Sequence, residues 1–376
     1  MCCSVAGIIS LVWSQKKQAV SDNYILTDAH SPCVSLNFLP ITRETGCFLK
    51  PALTDRILPW IDLTGFATMR SGAIVLSVLT INLNYIVSGN KWAYTGEIGP
   101  ENWGREYPHC DGTSQSPINI DTSAVTLLST LGQLVFTNYD IVTDVNLRLE
   151  NNGHSVQVDL SNEDLSISHG GLDGVYKAAQ FHFHWGSADQ RGSEHDINGE
   201  LFPMEMHIVH YAERFGNAST AMSEDKGLAV LGFLFEVGEH NTHFDEIIQH
   251  FDEIRNQDDS TNITSFQLKS LMPDNLEVFY RYSGSLTTPP CYESVVWTIF
   301  KETLKVSEDQ LNAFRTKIHH ELLGGKVPVS DDYRPLQKLN ERIVYTNAFS
   351  GIYSAGTLVQ SSSYILIICA LAAFIA

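Results

Sequence analysis

"QFHFHWGS", residues Gln180–Ser187, sets two histidines one residue apart, between phenylalanines and beside a tryptophan. Side chains alternate faces along a strand, so His182 and His184 project together while Phe181, Phe183 and Trp185 take the other face and can pack into a core. The same period of two recurs in "SVQVDL" (Ser155–Leu160) and "MEMHIVHY" (Met204–Tyr211). "LAVLGFLFEV" (Leu228–Val237) is instead a continuous apolar run, which reads as a central strand covered on both faces. Helices are few. The clearest begins at Ser307 with Gln310 completing a capping box; Leu311, Phe314 and Ile318 form its apolar stripe, and Gly324-Gly325 is expected to stop it. "HFDEIIQHFDEI" (His243–Ile254) reads as a solvated amphipathic surface helix. From about Asn90 to about Gly351 there is no repeat and no low-complexity linker. That stretch is expected to be a single domain, mainly β (α+β), one large sheet with peripheral short helices.

In "MEMHIVHY", Glu205, His207 and Val209 share one face, with Met206, Ile208 and His210 on the other. If this strand neighbours the first, His182, His184 and His207 converge. Three neutral imidazoles on rigid strands suit tetrahedral Zn²⁺ with its fourth position open, the pattern of a catalytic site. An H-x-H pair also occurs as ordinary strand histidines, and a third histidine further along adds only modestly to the metal reading. The charge excludes one class of partner. With 43 acidic against 24 basic residues and a net charge of -19, the surface repels phosphate backbones, so no nucleic acid is expected.

The two ends read as targeting signals. Tyr364–Ala376, "YILIICALAAFIA", is uncharged, nearly all apolar and shorter than the roughly 20 residues a bilayer span needs. Ser354, Ala355 and Gly356 precede it across a short spacer. Together they make a glycosylphosphatidylinositol (GPI) attachment signal over 354–376, with Ser354 taken as the attachment residue. A buried terminal helix or a short tail anchor are the alternatives. Met69-Arg70, an apolar run from Ala73 to Ile81 and the small residues Val87-Ser88-Gly89 have the anatomy of a secretory signal peptide over 69–89. Translation is then expected to start at Met69, leaving 1–68 as an upstream extension and 90–353 as the mature domain. If Met1 is used, the same run would act as an internal signal-anchor. The trimmed chain keeps two cysteines, Cys110 and Cys291. In a secreted domain they most simply form one disulfide; two unrelated buried thiols are the alternative. Sequons at Asn217 and Asn262 are compatible with glycosylation on the same route.

Several motifs occur together in one order: "WAYTGEIGPENW" (Trp92–Trp103), "QSPINI" (Gln115–Ile120), "NNGH" (Asn151–His154), "QFHFHWGS", "GSEH" (Gly192–His195), "EMHIVH" (Glu205–His210), "SLTTPPCYE" (Ser285–Glu293) and "YRPLQ" (Tyr333–Gln337). In them the chain from Trp92 to about Gln337 resembles an α-class carbonic anhydrase of the secreted or GPI-anchored branch. The resemblance implies a central ten-stranded, mostly antiparallel twisted sheet with zinc at the base of a cone. It implies Zn²⁺ on His182, His184 and His207, with Gln180 and Glu205 orienting His182 and His207, and with the backbone carbonyl of Asp332 orienting His184. Thr287 resembles a gatekeeping hydroxyl that donates to Glu194, backed by Thr288. Val209, Val230, Leu286, Val295 and Trp297 resemble the apolar wall that holds carbon dioxide. His154 resembles a proton shuttle, with Tyr94 and Asn152 ordering the intervening water; from the residues alone, His154 after Asn-Gly reads as a turn histidine. His195 and Tyr282 resemble a buried pair near Glu194, and Cys110 and Cys291 match the disulfide of the secreted branch. The further N-terminal cysteine pair of some GPI-anchored members is missing, with Ala93 and Ile98 in that region.

The implied activity is reversible hydration of carbon dioxide to bicarbonate and a proton at the extracellular face of the plasma membrane. Zinc would lower the pKa of its water to about 7, a value for which this family is itself the reference case. Sulfonamides and anions are the implied inhibitors, and the GPI lipid the implied link to the membrane. The other readings are a catalytically silent anhydrase-like ectodomain that binds or adheres, and a zinc ester hydrolase. The presence of all three histidines with Thr287 and Glu194 speaks against the silent form.

Overall fold

Ten strands form a continuous path through the main sheet of the computed structural model, which describes residues 92–322 and 325–348. The expected extension (1–68), signal peptide (69–89) and lipid-attachment signal with Ser354 lie outside the described residues. In chain order the strands are β1 (Thr126–Leu127), β2 (Asn146–Asn151), β3 (Val156–Asp159), β4 (Tyr176–Trp185) and β5 (Met204–Ala212). They continue as β6 (Leu228–Val237), β7 (Ser260–Thr264), β8 (Phe279–Gly284), β9 (Val295–Phe300) and β10 (Tyr345–Thr346). Across the sheet they run β7-β2-β3-β4-β5-β6-β9-β8-β10-β1. Neighbours are antiparallel except β6 with β9 and β10 with β1. Leu134–Thr137, Ser166–His169 and Leu304–Val306 pair off this path and bring the sheet to 13 strands. The fold is a single, mainly β domain around a large mixed sheet with few and short helices. No helix among the described residues is long and apolar enough to cross a membrane.

The two faces of β6 explain its continuous apolar run. Ala229, Leu231, Phe233 and Phe235 join one buried cluster, while Leu228, Val230 and Leu234 join another on the opposite face. On β4 the aromatics Phe181, Phe183 and Trp185 are fully buried in the first cluster, with the rings of Phe183 and Trp185 each 5.2 Å from Phe314. Burying each such side chain contributes about 1.5–3 kcal/mol. This anchors the strand and leaves its other face to the histidines.

Phe314 comes from helix α1 (Glu308–Lys317). Ser307 caps it: its Oγ accepts from the Gln310 N–H at 3.2 Å, and Gln310 Oε1 accepts from the Ser307 N–H at 3.2 Å. The helix ends before Ile318 and not at Gly324-Gly325. His319–Leu322 already forms a strand pairing with Gly325–Pro328, so Gly325 opens the returning strand of a hairpin. His243–Ile254 also differs from its expectation. Only Asp245–Ile248 is α-helical, after a 3₁₀ turn at Thr242–Phe244, and Phe244, Ile247, Phe251 and Ile254 are all buried. Its apolar positions pack into the core instead of riding a solvated helix.

Cys110 and Cys291 form a disulfide across 181 residues, tying the turn at Pro108–Asp111 to the loop after β8. Closing a loop of that length contributes about 5 kcal/mol in the chain-entropy account. Asn217 and Asn262 are both exposed; Asn217 caps a short helix, and Asn262 lies on β7 at the edge of the main path.

Candidate metal centre

The register of β4 against β5 sets His182 directly opposite His207 and His184 opposite Glu205. A bulge between Ala178 and Gln180 fixes that register. Before it, Tyr176 and Ala178 face the core with Phe181; after it, Gln180, His182 and His184 face the other way. The ligand atoms of His182, His184 and His207 lie within 4.8 Å of one another. His184 and His207 are each 1% exposed, and His182 is half-buried.

Hydrogen bonds fix which nitrogen of each ring is free. A carbonyl oxygen can only accept, so His182 Nδ1 donates to Gln180 Oε1 at 2.8 Å and His184 Nδ1 donates to the Asp332 carbonyl at 2.7 Å. His207 Nε2 donates to Glu205 Oε1 at 2.7 Å. Three lone pairs remain, on His182 Nε2, His184 Nε2 and His207 Nδ1. His184 Nε2 is buried without any hydrogen-bond partner, an arrangement that costs about 1–3 kcal/mol unless something takes the lone pair. Burial holds the His182 imidazole well below its ordinary range, with its histidine neighbours adding to the effect, and lowers that of His184. Both are therefore neutral, as metal ligands must be. Three nitrogen lone pairs on oriented rings fit a borderline metal ion such as zinc.

His195, Glu205 and His207 also lie close enough to hold an ion. Their atoms are already spoken for: His195 Nδ1 meets Glu205 Oε1 at 2.7 Å, and its Nε2 meets the Tyr282 hydroxyl at 2.7 Å. Glu205 Oε2 accepts the N–H groups of Glu194 and His195 at 2.9 and 2.8 Å. Burial pushes the Glu205 carboxyl up, but attraction and hydrogen bonds from His195 and His207 outweigh it and hold the group well below the usual range. It is a carboxylate that orients His207, flanked by a satisfied network.

Thr287 is buried in the loop after β8, and Glu194 is 1% exposed. The expected hydrogen bond between them is not made. Glu194 Oε1 accepts the Arg334 N–H at 2.9 Å, while its Oε2 has no hydrogen-bond partner. That oxygen lies 3.5 Å from His184 Nε2 and 4.0 Å from His207 Nδ1, facing the imidazoles instead of the threonine. Val209, Val230, Val295 and Trp297 are buried side by side across β5, β6 and β9, with Leu286 packed against them. The Trp297 ring is 4.8 Å from that of His207. Thr288 is half-buried in the same loop as Thr287.

His154 stacks on Trp92, with ring centroids 3.6 Å apart and planes within 10°. Burial, aided by His320, lowers its pKa to about 4. Asn152 makes the turn before it: its Oδ1 accepts the N–H groups of His154 and Ser155 at 2.9 and 2.8 Å. Tyr94 lies edge-on to His154 at 6.4 Å, its hydroxyl pushed well up by burial and by Glu194 and Asp332. His210, on the opposite strand face, is buried between the Tyr139 hydroxyl and the Ala229 carbonyl.

Two supporting residues, Arg334 and Gly232, and one supporting contact, that of the Asp332 carboxyl, escaped the sequence reading. Asp332 uses its side chain as well as its carbonyl, Oδ1 accepting the Trp185 N–H at 2.7 Å. Arg334 places Glu194 through its N–H and binds the Cys110 carbonyl at 3.0 Å through Nη2, joining the site to the disulfide. Gly232 sits opposite His207, where a Cβ would stand 2.5 Å from Ile299 Cδ1 and 3.1 Å from Glu205 Oε1. A glycine within the apolar run of β6 was the available signal for close approach.

Residues 98–348 match the family model described as eukaryotic-type carbonic anhydrase. The chain is 38% identical over 265 residues to carbonic anhydrase 12 of Homo sapiens, covering 69% of this chain and 74% of that one. It is 39% identical over 257 residues to carbonic anhydrase 4 of Oryctolagus cuniculus, covering 68% and 81%. With this match spread over the sheet and its histidines, the chain belongs to the eukaryotic-type carbonic anhydrase family.

Proposed function

We propose that this protein is a zinc carbonic anhydrase that hydrates carbon dioxide to bicarbonate and a proton on the extracellular side of the membrane. The observation that carries the reading is the set of three lone pairs, each fixed by a hydrogen bond at the far side of its ring. His182, His184 and His207 would hold the ion, with Gln180, Asp332 and Glu205 keeping their tautomers. Zinc bound there would supply a Lewis acid that activates water at neutral pH. The buried wall of Val209, Val230, Val295, Trp297 and Leu286 excludes bulk water and offers carbon dioxide an apolar surface. Thr287, with Thr288 beside it, would orient the reacting oxygen by accepting its hydrogen bond, while the Thr287 hydroxyl donates a hydrogen bond to Glu194 once Oε2 turns towards it. His154 would carry the released proton to buffer from an orientation off Trp92, since the stacked ring stays neutral. Tyr94 and Asn152 would bound that path.

The test is His207→Ala with metal content and stopped-flow hydration measured on the same sample. Hydration should fall by at least about 10³-fold, in step with loss of the metal. Hydration at the wild-type rate in that variant would sink the ligand assignment.

The secretory route and lipid anchor belong to the same proposal. The disulfide and the exposed sequons Asn217 and Asn262 support passage through an oxidising compartment. Phosphatidylinositol-specific phospholipase should release activity from membranes if Ser354 or a neighbour carries the lipid. Activity that stays with the membrane after digestion would count against the anchor.

A further inference from the structure

A second cavity, of about 360 Å³, is lined by Tyr282 and by none of the three histidines of the metal centre. Its apolar wall includes Leu131, Val296 and Ile343. Its cations are Lys226, Arg281 and Arg342. Arg281 is only 5% exposed, yet every acceptor it meets is neutral. Nη1 donates to the Gly170 carbonyl at 2.7 Å, and Nε and Nη2 donate to Thr298 Oγ1 at 3.1 and 2.9 Å. Burial lowers its pKa to about 10, which still leaves it charged at neutral pH. Arg342 likewise donates only to backbone carbonyls, among them those of Ser283 and Gln115 at 3.1 and 2.7 Å. The one acid on the rim, Asp173, is already engaged by Arg214 at 3.0 Å and by the Tyr176 hydroxyl at 2.6 Å.

A buried guanidinium normally has a carboxylate partner, because desolvating an ion costs several kcal/mol that only an opposite charge offsets. Here the buried Arg281 has none, Arg342 feels Glu293 without forming an ion pair with it, and Lys226 is exposed beside them, in a chain whose net charge is -19. Gly171 lies against the apolar wall, where a Cβ would stand 2.4 Å from Leu131 Cδ2 and 3.4 Å from Arg281 Nη1. The apolar walls decide the rest. Inorganic phosphate would satisfy the cations but leave Ile343, which is 50% exposed, and the partly buried Leu128, Leu172 and Tyr345 uncovered.

We propose that this cavity binds an amphiphilic organic anion, a carboxylate on a flat apolar body. The carboxylate would face Arg281 and Lys226, and the apolar body would lie against Ile343, Leu128 and Tyr345. Such a ligand suits a cavity in the range of small-molecule sites, about 300–1,000 Å³. Tyr282 is the wall it shares with the metal centre, three hydrogen bonds from His207 through His195 and Glu205.

The probe is 2-naphthoate, titrated calorimetrically into the zinc-loaded protein with its catalytic pocket saturated by a sulfonamide. One naphthoate should bind per chain. Arg281→Gln should abolish binding, and Lys226→Glu, on the exposed rim, should weaken it by roughly tenfold even if the buried variant folds poorly. Undiminished affinity in Lys226→Glu, equal affinity for the neutral 2-naphthamide, or no binding by about 1 mM naphthoate would overturn the assignment.

Discussion

His154 and Trp92 show how one contact sets the chemistry of a residue. Stacking at 3.6 Å buries one face of the imidazole against indole, and the nearby His320 adds a further reason not to take up a proton. With its pKa lowered to about 4, the stacked ring is neutral at pH 7. Trp92→Ala should wet that face and raise the pKa towards the ordinary 6.5, as read by NMR titration of the His154 ring proton. A value still near 4 in the variant would show that the stack is not the cause. The turn that carries His154 was legible, because Asn-Gly announces it and Asn152 closes it with two hydrogen bonds. The stack was not legible, since no local pattern links a ring to an indole sixty-two positions earlier. Asp332 was half legible: its carbonyl serves His184 as expected, while the bond from the Trp185 N–H to its carboxyl depends on tertiary approach alone.

At the scale of elements, alternation located β4 and β5 and showed which residues share a face. It did not reveal the bulge. Carried back from His182, a period of two would put Tyr176 and Ala178 beside the histidines, yet both lie in the core with Phe181. One extra residue, Ala179, reverses the pleat, leaving Ala178 opposite His210 and Gln180 opposite Val209. Deleting Ala179 should therefore preserve the pairing of His182 with His207 and retain the metal, at the cost of the bond its carbonyl accepts from Leu160. Inserting one alanine between Phe181 and His182 should instead turn both histidines to the core face and abolish metal binding. Zinc per chain, measured on both proteins, checks the pair; an insertion variant that holds metal like the parent would refute this account of the register. The misread ends have related causes. Gly324-Gly325 looked like a helix stop, but the chain had already entered the hairpin of His319–Leu322. The pattern of Phe244, Ile247, Phe251 and Ile254 fitted a surface helix, although four large apolar groups needed more cover than such a helix has.

For the whole molecule, buried histidines tie stability to pH. His210, fully buried, has its pKa lowered to about 4 by burial. As pH falls from 6.5 to 4, the unfolded chain takes up a proton that folded His210 does not. Stability therefore declines across that window, by up to about 3 kcal/mol for this group. Urea midpoints at pH 7 and pH 4.5 should differ less for His210→Gln than for the parent, and equal differences would show that His210 is not the source. Long-range contacts were the least legible part of the site. The contact of His184 with Asp332, across 148 residues, came only through the family resemblance, and that of Glu194 with Arg334, across 140, was not foreseen. These contacts also impose a timetable during synthesis. A ribosome delivers first the three imidazoles that could hold a metal, and the residues that aim His184 and steady Glu194 follow on the order of ten seconds later. Until they emerge, the nascent chain carries a full set of donors without their final orientation, so metal capture in its finished geometry must await the last part of the domain.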